Sequence, residues 1–117
     1  MHHASKKTQK LFHQLLAVGA ATMPTKFIVA VITAEPAHID VVGKTLQSAV
    51  AAVRAEPGCI QYDLHRDQSH PGKFVMIEQW HDALALKTHS EAAAFRELST
   101  VLHGLAILEV ADLEKIA

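Results

Sequence analysis

Glu78 and His89 are the two titratable side chains of this sequence that sit in the most apolar company. Glu78 is flanked at two-residue steps by Met76 and Trp80, so on a strand the three share one face of the pleat. His89 lies in the run ALALKTHSEAAAF, which is rich in helix formers and closes on Phe95. An imidazole there can accept a proton near neutral pH, which makes His89 a candidate general base; at a helix end it can also serve the terminal carbonyls. Glu78, once buried, must be either a neutral acid with a raised pKa or half of an ion pair. Trp80 supplies an aromatic wall or plain core, and Phe95 is core that also lines a pocket. Tyr62 and His65 add a phenol and a second imidazole. Three positions apart, they cannot share a strand face unless the strand bulges. His65 keeps company with Asp63 and Gln61, which either orient its ring or mark a polar edge of a sheet.

Other chemistries find less support. Nine histidines invite a metal reading, but their spacings do not make one: His65 to His70 crosses a turn, and His81 to His89 crosses a strand–helix junction. Cys59 is the single cysteine, so no internal disulfide forms, and a reducing cytoplasm is the expected compartment. No His or Lys neighbours it to lower its pKa, which reads as a packed strand residue. The formal net charge is -1, and Lys6, Lys7 and Lys10 are the one basic cluster, which argues against a nucleic-acid partner. Apolar runs are short, so no membrane span is expected. No Gly-rich phosphate loop occurs.

The elements that must position these residues follow from periodicity. Residues 25–34 are rich in Val and Ile and read as a strand with two largely apolar faces. Ile39, Val42, Leu46, Ala49 and Val53 recur at steps of three and four, predicting a helix over 36–55 that stops at Pro57-Gly58. A second strand, 59–66, puts Ile60, Tyr62 and Leu64 on one face and Cys59, Gln61, Asp63 and His65 on the other. The turn DQSHPG then joins it to a third strand from Lys73, giving an antiparallel hairpin. Asp82 is a candidate N-cap for a helix from Ala83, and Ser90 for a further helical piece burying Phe95, Leu98 and Leu102 and stopping at Gly104. Residues 105–113 alternate as the last strand. Residues 1–22 stand apart as an N-terminal extension, read as helical from the stripe of Leu11, Phe12, Leu15, Leu16 and Val18, with some features of a secretory signal; residues 23–117 form the domain.

The order strand, helix, strand, strand, helix, strand is the split βαβ arrangement, an α+β ferredoxin-like fold with a four-stranded antiparallel sheet and its helices on one face. Two helices cover one side of such a sheet, yet the first and third strands are apolar on both. A homodimer, with the same face of another copy as cover, is the expected solution; the N-terminal extension is the competing one.

The string EPGCIQYDLHRD, followed by a Pro-Gly turn and FVMIEQWHDALALKTHSEAAAF, resembles the antibiotic biosynthesis monooxygenase domain family. The residues that carry the resemblance are Pro57, Gly58, Cys59, Tyr62, Glu78, Trp80, Asp82, Ala85, Leu86, His89 and Phe95. It implies a dimeric α+β barrel and, in the quinol-oxidising members, a cofactor-independent monooxygenase in which the deprotonated aromatic substrate itself reduces molecular oxygen. On that pattern His89 takes the substrate proton, Trp80 and Phe95 hold its ring, Glu78 with Tyr62 organises the polar end, and His65 is a further substrate-binding candidate. The same superfamily includes an isomerase or lyase on a small carbonyl compound, and non-catalytic ligand- or haem-binding modules. The haem-degrading branch carries an Asn on its first strand, and TKFIVAVITA has none. A phosphorylated substrate would want cations, and Lys26, Arg66, Lys87 and Arg96 are scattered in sequence.

Overall fold

The structure, a computed structural model, describes residues 24–117; the N-terminal extension expected at residues 1–22 lies outside the described residues. The elements run β1 (Lys26–Ala34), a 3-10 turn (Pro36–His38), α1 (Ile39–Arg54), β2 (Cys59–Arg66), β3 (Lys73–Trp80), α2 (Ala83–Glu91), α3 (Ala93–Leu102) and β4 (Ala106–Leu113). The strands form one sheet in the order β2-β3-β1-β4, and every neighbouring pair is antiparallel. This is the ferredoxin-like α+β fold the sequence predicts, with the helical half divided into two short helices.

The core lies between the sheet and α1. Val42, Leu46 and Val53 of α1 are almost fully buried, and they meet Ile28, Ala30 and Ile32 of β1 and Phe74 and Met76 of β3. Each such aliphatic side chain taken from water contributes about 1.5–3 kcal/mol before conformational entropy is charged against it. α1 begins at Ile39, the first residue of its apolar pattern and three residues after the expected start at 36, because Pro36 opens a tight 3-10 turn first.

Two local expectations are corrected. The bulge between Cys59 and Gln61 places Cys59 opposite Trp80 and Tyr62 opposite Glu78. Cys59 therefore turns to the helix side and packs against the core, while Ile60, expected on that side, is exposed. Ser90 does not cap the second helical piece: it lies inside α2, where its hydroxyl donates to the Lys87 carbonyl at 2.6 Å, and Ala92, with extended backbone, separates α2 from α3. Asp82 does cap α2, accepting from the Ala85 amide at 2.8 Å, and Gly104 follows α3 at φ 78° as its stop.

The face of the sheet away from the helices carries Phe27, Val29 and Val31 of β1, Val75 and Ile77 of β3 and, on β4, Ile107 and Leu113; Ile77, Ile107 and Leu113 are exposed and the others half-buried.

Candidate active site

The site begins at the C-terminal end of β3. Glu78 and Trp80 both point to the helix side, and the Trp80 indole N–H donates to Glu78 Oε1 at 2.9 Å. Tyr62 faces the same way from β2, directly opposite Glu78. Against these three, the last turn of α2 lays His89. Its ring stacks on Trp80, with centroids 4.5 Å apart and planes 26° apart. The ring edges of Tyr62 and Phe95 close on it at 5.7 Å and 5.3 Å. The imidazole is thus boxed by three aromatic rings and only 4% exposed.

A fourth segment reaches the same place. After α1 the chain turns through Glu56, Pro57 and Gly58, and Gly58 takes φ 81°, which a residue with a Cβ adopts at a cost. The Gly58 carbonyl accepts from the His81 amide at 2.8 Å, tying the turn to the end of β3. Glu56 then meets His89, its Oε1 lying 2.7 Å from Nδ1. His89 does not serve the helix carbonyls with its ring; it faces a carboxylate 33 residues away.

Beneath α2 and α3 lies a cleft of about 340 Å³. β1 and β4 supply an aliphatic floor that includes Ile28, Ile32, Leu108 and Val110, and α3 supplies Phe95, Leu98 and Leu102. Its inner polar end consists of Tyr62, Glu78 and His89; Ser90, Ser99 and His103 also border it. No Lys or Arg is among its lining residues. No buried side-chain nitrogen or oxygen among the described residues lacks a hydrogen-bond partner. The ring nitrogen His89 Nε2, the carboxylate oxygen Glu78 Oε2 and the Tyr62 hydroxyl make no protein hydrogen bond. All three are therefore reachable, and in side chains this buried the opening is the cleft.

Burial raises the pKa of Glu78, with the Trp80 hydrogen bond and His89 pulling it back and Glu56 adding to the rise. Of the two readings for this carboxyl, the raised pKa is the one the burial favours, and the carboxylate in contact with His89 is Glu56 rather than Glu78. Burial also pushes the Tyr62 phenol well above its ordinary value, with the Glu78 and Glu56 carboxylates acting in the same direction. Tyr62 is a neutral hydrogen-bonding group here.

Of the six side chains marked in the sequence, the fold gathers five and leaves one out. Tyr62, Glu78, His89 and Phe95 line the cleft. Trp80, expected as a wall for the substrate, is fully buried behind His89 and Glu78 and holds both in place. His65 is exposed on the far face of the sheet, where its Nδ1 lies 3.1 Å from the Asp63 carbonyl. The alternation of β2 sends it away from Tyr62, so it does not reach this cleft. Glu56 was not singled out from the sequence. Its only local signal is a carboxylate immediately before the Pro-Gly stop of α1.

Residues 26–100 match the family described as antibiotic biosynthesis monooxygenase. The chain belongs to that family. Among solved structures, the family fold is shared with PA3566 from Pseudomonas aeruginosa, at 37% identity and TM-score 0.77, over 83% of this chain and 100% of that one. A second crystal structure, of an antibiotic biosynthesis monooxygenase, aligns at 31% identity and TM-score 0.74 over 79% of this chain and 99% of that one. The Bacillus subtilis (strain 168) protein named Putative monooxygenase YcnE is 46% identical over 50 residues, which is 43% of this chain and 53% of that protein. The matched stretch thus spans about half the length of that curated relative. Among the described residues of this family member, no helix is long and apolar enough to cross a membrane.

Proposed function

We propose that the protein is a cofactor-independent monooxygenase that oxidises a quinol or polyphenol-type aromatic with molecular oxygen. The observation that carries this reading is the unpartnered His89 Nε2 opening into an aliphatic cleft beside Glu78 Oε2 and the Tyr62 hydroxyl. A flat, neutral, hydroxylated ring suits such a space: its face meets Phe95 and the aliphatic floor, and its hydroxyls meet the polar end. A cleft with no Lys or Arg in its lining gives a phosphorylated substrate no fixed positive charge.

His89 Nε2 takes the proton of one ring hydroxyl, so that an O–H bond breaks and an N–H bond forms. The phenolate, held by the Tyr62 hydroxyl beside Glu78, whose pKa burial raises, is electron-rich enough to reduce oxygen. One oxygen atom enters the ring and the other leaves as water, with both electron pairs drawn from the substrate: hydroquinone plus oxygen gives hydroxyquinone plus water. The dry walls keep the activated ring from competing reactions.

The outer sheet face supports a homodimer, since Phe27, Val29, Val31, Val75 and Ile77 form an apolar surface that a second copy would cover symmetrically. Sedimentation at low micromolar concentration should give twice the chain mass, and Val31→Lys should give the chain mass. The free thiol of Cys59 supports a cytoplasmic setting.

Oxygen uptake with a panel of hydroquinones tests the activity. Uptake should be stoichiometric with product and should fall about 100-fold or more in His89→Ala. Turnover of a carbonyl compound without oxygen uptake would instead favour an isomerase or lyase, and unchanged turnover in the variant would remove His89 from the mechanism.

A further inference from the structure

We propose that Glu56 is a positioning residue for His89, fixing the ring tautomer so that the bare lone pair faces the cleft; this rests on the role assigned to His89 above. An ionised carboxylate is an acceptor only, so a contact of 2.7 Å between Glu56 Oε1 and Nδ1 places the ring proton on Nδ1. The neutral imidazole then has its lone pair on Nε2, the nitrogen without a protein partner. Trp80 stacked on one side and Phe95 and Tyr62 at the edges restrict the ring from flipping, so the choice made at Nδ1 is transmitted to Nε2.

The same carboxylate serves the product of the proton transfer. When Nε2 gains the substrate proton, His89 becomes an imidazolium inside a site where both partners of the pair are nearly buried, at 5% and 13% side-chain exposure. A buried cation without a counter-ion is costly, and Glu56 is in contact with this one before it forms. Glu56 gains no proton in the step. The other acid facing the ring, Glu78, is held to Trp80 and raised by burial, so the counter-ion role falls to Glu56.

The turn that carries Glu56 is built for that reach. Gly58 packs on Ala85, and Glu56 on His89, four residues along α2; the two contacts fall on one face of the helix, one turn apart.

Nitrogen-15 NMR of histidine-labelled protein tests the proposal, with His89→Gln used to assign the His89 signals. Wild type should show a protonated Nδ1 and a bare Nε2. In Glu56→Gln the side-chain amide can either donate to or accept from the ring, so a mixture of tautomers should appear, with kcat on an active quinol down about 100-fold and KM within about threefold. Glu56→Asp keeps an acceptor-only group and should retain the wild-type tautomer. A proton on Nε2 in the wild type overturns the proposal. So does an unchanged tautomer or an unchanged kcat in Glu56→Gln. If no quinol is oxidised, the monooxygenase reading fails while the NMR result still decides what Glu56 does to the ring.

Discussion

Gly58 and Ala85 approach so closely that a methyl group on Gly58 would lie 2.5 Å from the Ala85 Cβ. Through this contact the turn after α1 locks onto α2, and the lock places Glu56, whose Oε1 lies 2.7 Å from His89 Nδ1. Gly58→Ala should therefore cost about 2–5 kcal/mol, combining a left-handed backbone with an overpacked contact. Ala85→Gly in the same chain should recover the steric part and leave the backbone part. A double-mutant cycle on urea unfolding measures both.

Glu78 makes a signed prediction for stability against pH. Its folded pKa lies above the ordinary carboxylate value, so between the two the folded state holds more protons than the unfolded one, and stability falls as pH rises through that window. Its contribution is complete below the unfolded pKa and is lost above the folded one. Asp63 and Asp67, whose pKa values are lowered by hydrogen bonds, work in the opposite sense at more acid pH. Thermal melts of wild type and Glu78→Gln across pH 3 to 9 isolate the effect: the variant should gain relative to wild type as pH rises. A constant difference across that range would count against a raised Glu78.

Trp80→Phe removes the donor to Glu78 Oε1 and shortens the plate on which His89 stacks. The expected cost is about 1–3 kcal/mol, from the lost hydrogen bond and the small void. Since that hydrogen bond holds the Glu78 pKa down, the window of falling stability should extend to higher pH in this variant, and the same melts would show it.

His65→Ala should change stability by less than about 0.5 kcal/mol and leave oxygen uptake with any active quinol unaltered, because the ring is exposed and outside the cleft. A tenfold loss of kcat would return it to the site.

Much of this molecule was legible in the linear chain because its causes are local. The steps of three and four in α1, the alternation in β1 and β3, the Asp82 cap and the turn residues of the hairpin each act over a few positions. That Glu78 shares a face with Trp80 follows from the two-residue period of a strand alone. The bulge at Cys59 was not visible, since it depends on how two strands align rather than on either one. The split of the C-terminal helical region into two pieces was expected, but its place was not: the break falls at the extended backbone of Ala92, two residues beyond the Ser90 that the sequence offers as a cap. The pairing of Glu56 with His89 lay furthest out of reach: 33 positions separate them, and their meeting requires a positive φ at Gly58, a close approach to Ala85 and a buried ring already held by Trp80. Residue types set which side chains could carry chemistry. Only the three-dimensional packing decided which of them share a desolvated space, because burial and distance are properties of the assembled layers and not of any single stretch.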